Sequence, residues 1–332
     1  MASVWIVIVN YRTAELTLNC LRSLDREIRN LSACRVLVTD NASEDGSAER
    51  LAESIARHRW SEWVSVSSLA RNGGFAFGNN AGIRAALATS DPVDYVMLLN
   101  PDTTVRPGAI RALVEFMETH PRAGIAGSRL ENANGDAECS AHTVPSPLGE
   151  LDAGARLGVL SRLLRRYVVS PPLRDEAHEC DWVSGASLIV RRSVFETVGL
   201  MDEEYFLYFE EVDLCCRAKS AGWAVWYVPQ SRVMHLEGAA TGIRRLDERR
   251  PRYWYDSRRR FFVKRYGVGG LIFADLFFAF GRATLALRRL LGLRRRTHEA
   301  DPKRFTIDLL WGDLLSLLTG EVWKVRGARG LS

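Results

Sequence analysis

The chain has 332 residues, 47% of them apolar and 26% charged, with a formal net charge of +5. That balance excludes a disordered or fibrous chain and allows one large domain or two modest ones with a substantial core. Six cysteines (Cys20, Cys34, Cys139, Cys180, Cys215 and Cys216) show no CxxC spacing, and the adjacent Cys215-Cys216 pair would make a poor disulfide, so reduced thiols are expected.

The positive charge is unevenly placed. Arg244 to Arg304 holds 18 Lys and Arg against 6 Asp and Glu, an asymmetry that suggests an anionic partner, either nucleic acid or a lipid headgroup surface. The amino terminus, Met1 to Trp5, runs into a strand without the basic region and apolar stretch of a signal peptide, so a cytoplasmic protein is expected.

From Val4 to about Ser128, short apolar runs alternate with helical patterns, the signature of βαβ units on a largely parallel sheet. Strands are predicted at Val4–Val9, Val36–Thr39, Val64–Ser67, Tyr95–Leu99 and Gly124–Gly127. Helices are predicted at Thr13–Leu24, Ser47–His58, Asn79–Ala88 and Gly108–Thr119, the second with capping chemistry in Ser43 to Ser47. After Arg129 the rhythm breaks. Asn134-Gly135 reads as a hairpin turn, and a polar, Pro-containing stretch to about Glu179 is long enough to be an insertion over a site. Order resumes with a strand over Trp182–Val190, helices over Arg192–Val198 and Glu210–Ala221, and a strand over Ala224–Val228. Leu271–Leu287 is strongly apolar but contains Asp275 and Arg282 and is short for a span. With Arg288, Arg289 and Arg294 to Arg296 behind it and an amphipathic stretch at Phe305–Leu318, it fits an interfacial helix or a packed helical hairpin equally well.

Several residue groups carry possible chemistry. The buried run Tyr95–Leu99 ends in Asn100-Pro101-Asp102-Thr103, which places Asp102 at the carboxyl edge of the sheet, where open α/β folds bind ligands. There it is a candidate ligand for a hard cation, or part of a simple turn. Asp40 ends the second strand on the same edge and could accept hydrogen bonds from a ligand or cap the next helix. Arg71-Asn72-Gly73-Gly74 opens a helix with glycines and a cation, a phosphate-friendly arrangement that is also compatible with a flexible turn. Glu210 and Glu211 follow the aromatic run Tyr205 to Phe209 at a helix start, where a partly desolvated Glu can act as a general base, whereas Asp213 pairs by spacing with Arg217. His235, in an apolar setting, is either a core histidine or a second metal ligand.

Taken in order, Ile8 to Tyr11, Val38 to Ser43, Arg71 to Phe75, Leu99 to Asp102, Trp182 to Ala186 and Phe209 to Leu214 make the chain resemble the family 2 glycosyltransferases of the GT-A fold, in particular their bacterial rhamnosyltransferase-like branch. The resemblance covers Val4 to about Gly267. It implies an α/β nucleotide-diphospho-sugar transferase fold, with a mostly parallel central sheet flanked by helices and a C-terminal helical extension. The expected division is a catalytic domain over 1–267, with a nucleotide-binding half to about 128 and an acceptor half over 129–267, and a basic helical region over 268–332.

Residue by residue, the resemblance implies that Asp40 and Val9, Asn10 and Tyr11 hold the base, that Arg71, Asn72, Gly73 and Asn80 close the nucleotide pocket, and that Asn100 faces the ribose. Asp102, with His235, would bind Mg²⁺ or Mn²⁺. Trp182, Gly185 and Ala186 would line the donor-sugar and acceptor region, and Glu211 would be the base, with Glu210 the second choice. Asn100 stands where the usual motif has its first Asp, and Glu211 where Asp is commoner.

The implied function is inverting transfer of a sugar, best matched by L-rhamnose from dTDP-L-rhamnose, to a saccharide or polyprenyl-linked saccharide in cell-surface polysaccharide synthesis. The expected location is the cytoplasmic side of an anionic membrane in peripheral contact, with no nucleic-acid partner. A metal-dependent nucleotidyltransferase, or a nucleotide-sugar-binding protein without turnover, are the alternatives.

Overall fold

A computed structural model describes residues 2–28, 33–236, 238, 246–293 and 301–324; Arg294 to Arg296 of the basic tail lie outside the described residues. Elements follow in chain order: β1 (Val4–Asn10), α1 (Ala14–Ile28), β2 (Cys34–Asp40), α2 (Ser47–Arg57), β3 (Val64–Ser68), α3 (Gly74–Leu87), β4 (Tyr95–Leu99), β5 (Thr103–Val105), α4 (Ala109–Thr119), β6 (Ala123–Glu131), β7 (Ala137–Glu138) and β8 (Ala141–His142). Then come α5 (Pro147–Ala155), α6 (Gly158–Leu163), β9 (His178–Glu179), β10 (Trp182–Val183), β11 (Ser187–Arg191), α7 (Arg192–Val198), α8 (Glu210–Ser220), β12 (Ala224–His235), α9 (Arg252–Leu290), α10 (Phe305–Leu318) and α11 (Glu321–Lys324).

By compactness the chain forms two units, 1–142 with 172–206 and 210–242, and 143–171 with 207–209 and 243–332. The sequence expectation draws its line at 267; compactness draws it at 243 and adds the middle of the 134–179 stretch to the second unit.

The first unit is built on a sheet of order β3-β2-β1-β4-β11-β6-β12-β5. Strands β3, β2, β1 and β4 are parallel, as apolar β-branched runs covered on both faces require. Beyond β4 the sheet is mixed: β11 runs antiparallel to both β4 and β6, β12 is parallel to β6, and β5 is antiparallel to β12. Side-chain alternation divides the core. Ile6 and Ile8 of β1 pack with Leu21, Leu51 and Leu113 of α1, α2 and α4. Val7, with Val96 and Leu98 of β4, packs with Ile83, Val194 and Leu214 of α3, α7 and α8. This is the α/β sheet with helices on both faces that the sequence pattern implies.

Four elements depart from the sequence reading for identifiable reasons. Helix α3 begins at Gly74 instead of Asn79, and Gly78, which reads as a loop glycine, is like Gly82 a packing position inside it: a Cβ would come within 2.7 Å of Val9 at Gly78 and 2.4 Å of Val7 at Gly82. The expected strand over 182–190 is two strands, interrupted at Ser184 to Ala186. Strand β12 continues through His235 because a register shift between Val228 and Arg232 accommodates Pro229. Helix α9 starts at Arg252 and is broken at Gly267, whose φ of 76° is left-handed. The Asn134-Gly135 turn does join two antiparallel strands, β6 and β7, with Gly135 at φ 87°.

In the second unit, α5 lies against α9 at backbone distance. A Cβ on Gly154 would meet the Phe278 carbonyl at 2.6 Å, and one on Gly281 would meet the Ala155 nitrogen at 2.6 Å. At its centre Arg258 is 1% exposed and bonds three carboxylates, Glu150 at 2.9 Å, Asp275 at 3.0 Å and Asp313 at 2.9 Å. Arg259 Nε reaches the second oxygen of Asp313 at 2.7 Å. Paired in this way, charges can be buried that would be prohibitive alone.

Gly82→Ala is expected to lower stability by about 1–3 kcal/mol through overpacking against Val7. Gly158→Ala, where an added Cβ meets nothing within 4 Å, should leave the thermal midpoint nearly unchanged. Equal melting temperatures for the two variants would contradict the packing role.

Candidate active site

The carboxyl ends of the parallel strands gather two groups of polar residues. At the β1 and β2 ends, Asn10 and Asp40 are register partners. Asp40 is 3% exposed, and its carboxylate accepts Asn10 Nδ2 at 2.6 Å, Ser43 Oγ at 2.5 Å and the Ser43 amide at 3.1 Å. Asn10 Oδ1 in turn accepts Thr13 and Thr17 hydroxyls. Asp40 therefore orders the turn that begins Asn41-Ala42-Ser43. Val9 is buried against Gly78 of α3, while Tyr11 is exposed, with the Arg12 guanidinium 5.2 Å from its ring centre.

Asn41 connects this group to the glycine loop. Its Nδ2 donates to Asn72 Oδ1 at 3.0 Å and to the Gly74 carbonyl at 2.9 Å. Gly74, at φ 88°, presses on the chain at Phe206, so that a Cβ would fall 2.0 Å from the Phe206 carbonyl oxygen. The Phe75 amide donates to that oxygen at 2.7 Å. Gly73 is buried at the N-cap of α3, and Arg71 is exposed, with its guanidinium over the Phe77 ring at 4.5 Å. The Asn80 amide is fully engaged elsewhere: Nδ2 donates to the Met201 carbonyl and to Glu203, and Oδ1 accepts the Met201 amide. Its direct contribution is to hold the 201–203 turn.

The second group surrounds Asp102. Leu99 and Ser187 are paired across β4 and β11, and immediately beyond them the Asn100 amide donates to the Ala186 carbonyl at 2.9 Å. The chain then turns through Pro101, with Thr103 Oγ1 on the Asn100 carbonyl, and enters β5, whose Thr103 pairs with His235 of β12. The result brings three polar side chains together. His235 Nε2 lies 3.3 Å from Asp102 Oδ1 and 3.5 Å from Asn100 Nδ2. Asp102 Oδ1 and Asn100 Oδ1 are both buried without a hydrogen-bond partner. Bare carboxylate and amide oxygens beside an imidazole nitrogen suit a divalent cation in donor type, and an orphaned buried carboxylate oxygen is costly unless something completes it. Among the described residues no third His, Cys, Asp or Glu side chain completes a metal-holding group with Asp102 and His235.

The break between β10 and β11 opens the sheet beside α8. Gly185 sits there; a Cβ on it would be 3.5 Å from Phe75 and 3.7 Å from Glu211. Trp182, half-buried, stacks on His142 at 4.1 Å. Glu210 and Glu211 open α8 after two left-handed residues, Tyr208 at φ 71° and Phe209 at φ 70°, a strained entry of the kind that functional sites retain. Glu210 is 2% exposed, with Oε2 unpaired; burial, and then the neighbouring Glu211 charge, push its carboxyl well above the usual range. Glu211 is half-buried and also has a bare Oε2. Burial raises its carboxyl too, while the peptide N–H groups of Glu211 itself, Gly185 and Val212 pull it back. Asp213 instead pairs with Arg217 at 2.8 Å, as its spacing indicates.

Contacts thus run from Asp40 through Asn41, Asn72, Gly74 and Phe75 to Gly185 and Glu211, and from Ala186 to Asn100, His235 and Asp102. Sequence reasoning overlooked Asn41 as the link, although it lies within a recognised segment. It also overlooked three buried serines, Ser128, Ser187 and Ser231, whose hydroxyls bond at 2.7 and 2.8 Å and join β6, β11 and β12 behind the Asp102 corner. No local pattern marks them, because they meet only after the strands pair.

Residues 2–257 match the family model described as glycosyltransferase like family 2. The N-acetylglucosaminyl-diphospho-decaprenol L-rhamnosyltransferase of Mycobacterium tuberculosis (strain ATCC 25618 / H37Rv) is 34% identical over 218 residues, 62% of this chain and 68% of that protein. Rhamnosyltransferase WbbL of Escherichia coli (strain K12) is 24% identical, over 70% of this chain and 83% of its own. Among solved structures, GalNAc-T7 with UDP, GalNAc and Mn²⁺ aligns with a TM-score of 0.60 at 15% identity, over 96% of this chain and 58% of that one. The mannosyltransferase PcManGT of Pyrobaculum calidifontis, in complex with GDP-Man and Mn²⁺, aligns with a TM-score of 0.55 at 14% identity, over 97% and 87%. These likenesses establish the GT-A fold. The chain belongs to glycosyltransferase family 2, and its activity is glycosyl transfer.

Proposed function

We propose that this glycosyltransferase moves L-rhamnose, with inversion, from dTDP-L-rhamnose to a hydroxyl of a saccharide carried on a polyprenyl diphosphate, at the cytoplasmic face of a membrane. The relatives from Mycobacterium tuberculosis and Escherichia coli support the sugar, and the former supports the lipid-linked acceptor. One observation carries the mechanism: Glu211 stands at a helix N-terminus beside Gly185, with one carboxylate oxygen unpaired and its pKa raised by burial. A carboxylate in that state accepts a proton more readily than an ordinary surface Glu.

In the step we assign, Glu211 Oε2 takes the acceptor hydroxyl proton as that oxygen bonds to the anomeric carbon. The bond from the anomeric carbon to the nucleoside diphosphate breaks on the opposite side, and the leaving oxygen keeps the electron pair. Glu210, more deeply buried and facing the Glu211 charge, holds its proton, so that Glu211 alone is the anion of the pair. The Tyr11 ring and the Asp40 turn are assigned to the base, the Asn72–Gly74 loop and Arg71 to the remainder of the nucleotide, and Asn100 to the ribose. Asn80 acts on that loop indirectly, by fixing residues 201–203. Asp102 and His235 would hold Mg²⁺ or Mn²⁺, which when bound supplies positive charge against the departing diphosphate.

Glu211→Gln is expected to reduce kcat by about 10²- to 10⁴-fold while leaving donor binding intact. In the wild type the acidic limb of kcat/KM should lie above the ordinary Glu range of about 4.3. Near-normal turnover in the variant would remove Glu211 from the base role.

Because burial raises the folded-state pKa of Glu210, its contribution to stability is fully present below the unfolded value and is lost as pH rises through the folded one. Glu210→Gln should therefore gain melting temperature over wild type progressively as pH rises above the ordinary Glu range of about 4.3. A pH-independent difference would contradict the protonated assignment.

A thermal-shift panel of dTDP, UDP and GDP, each with and without Mn²⁺, is expected to single out dTDP plus Mn²⁺, at saturation by about 2.7 kcal/mol for a ligand at 100 times its Kd. Asp102→Asn should abolish the metal-dependent part. A larger shift with UDP or GDP would reassign the donor.

A further inference from the structure

Two helices of the second unit leave apolar stripes in the open while burying charged or polar groups beside their apolar inner residues. Helix α10 turns Asp313, 1% exposed, and Ser316, 3% exposed, inward and leaves Ile307, Trp311, Leu315 and Leu318 in the open, Trp311 at 58% and Leu318 at 74%. At 100° per residue these four fall within an arc of about 80°. The carboxyl-terminal part of α9 does the same. Asp275 and Arg282 are tied by ion pairs to Arg258 and Asp301, while Phe273, Leu276, Phe280 and Leu287 are exposed, Phe280 at 64%, in an arc of about 60°. Contiguous bare apolar stripes of this kind mark a surface that meets something apolar.

Charge identifies what that is. The second unit holds 25 of the 45 Lys and Arg but only 11 of the 40 Asp and Glu, so the formal excess of positive charge resides in it and the first unit is net negative. Arg162, Arg165, Arg166 and Arg289 are exposed there, with Val159 and Leu163 of α6 bare among the first three. Apolar stripes on a strongly cationic body repel a second copy of themselves and match an anionic bilayer surface.

By length and composition α9 could cross a membrane. Its inner face is occupied, however, by α5 at Gly154 and Gly281, by Arg258 with its three carboxylates, and by Asp301 bonded to both Arg156 and Arg282. A helix covered in this way along one side cannot be surrounded by lipid, whereas it can rest on it.

We propose that the outer stripes of α9 and α10 form a monotopic docking face that beds into the headgroup boundary of an anionic membrane, with the helices in the plane of the surface. The proposal does not depend on the sugar or the acceptor, so it can fail while the assigned reaction stands.

The test is flotation of the full chain with vesicles of phosphatidylcholine alone and of phosphatidylcholine containing phosphatidylglycerol. Wild type is expected to float with the anionic vesicles at low salt and weakly with the neutral ones. A triple variant, Phe273→Glu, Leu276→Glu and Phe280→Glu, and separately Trp311→Glu with Leu315→Glu, should each lose at least about tenfold in partitioning. Melting temperature and monomer mass should be unchanged, because the replaced side chains are exposed. Should the glutamates unfold the protein, Phe280→Ser with Trp311→Ser offers a milder version with the same expected direction. Wild-type flotation by these variants, or no flotation of wild type with either vesicle, overturns the proposal. So does a wild-type dimer that the variants convert to monomer, since the stripes would then be a contact between copies.

Discussion

The site depends on one feature of the sheet, the antiparallel insertion of β11 beside the parallel strand β4. In a wholly parallel sheet the end of β4 would be flanked only by other strand ends and loops. Here β11 arrives from the opposite direction, so the residues preceding it, Ser184 to Ala186, lie where β4 stops. The Asn100 amide closes on the Ala186 carbonyl at 2.9 Å, fixing that meeting point. On one side of it Gly185 receives Glu211 from α8; on the other, the Asn100-Pro101-Asp102 turn delivers a carboxylate to His235. A one-residue slip between β4 and β11 would turn the core-facing residues of β11 to the other face and separate these groups. The buried serines Ser128, Ser187 and Ser231, hydrogen-bonded across β6, β11 and β12, oppose such a slip because each would be left unsatisfied by it.

The two acidic corners of the site are held in different electrostatic states. Asp40 is saturated by Asn10 and Ser43, so its charge is already used to shape the turn. Asp102 and Glu211 each retain an oxygen without a hydrogen-bond partner. A fold tolerates orphaned polar atoms only sparingly, since each costs about 1–3 kcal/mol. Their concentration beside one strand break is therefore better explained by what the site binds than by what the fold needs.

Much of this was legible in the chain because its signals are local. Buried parallel strands such as Tyr95–Leu99 announce themselves as continuous apolar runs, and the acidic residues that end them can be placed on one edge without knowing the strand order. The unreadable parts depend on distant pairing. Thr103–Val105 is too short to show a period and is a strand only because β12 lies beside it. The run Trp182 to Val190 looks uninterrupted, although it breaks at Ser184 to Ala186, where Gly185 lies beside Glu211. Asn80 sits in the glycine-loop segment and reads as a nucleotide contact, yet its amide is taken by Met201 and Glu203, more than a hundred residues away. Gly78 and Gly82, four residues apart on one helix face, let α3 lie directly on β1, a close approach that shows only once the strand is in place.

The C-terminal helices present the converse difficulty. Their sequence shows amphipathicity plainly but not which face turns inward, since periodicity is indifferent to direction. Alongside buried apolar residues such as Phe278 and Leu309, the structure buries Arg258 and Asp313 and half-buries Asp275, while Phe273, Phe280 and Trp311 stay exposed. Burial of a guanidinium among carboxylates is at best neutral compared with an apolar core of the same shape. Stability alone would not select that arrangement over leucines inside and charges outside. It becomes favourable when the exterior is itself apolar, because the ion network then keeps the charged groups out of lipid and leaves the aromatic and aliphatic side chains free to enter it.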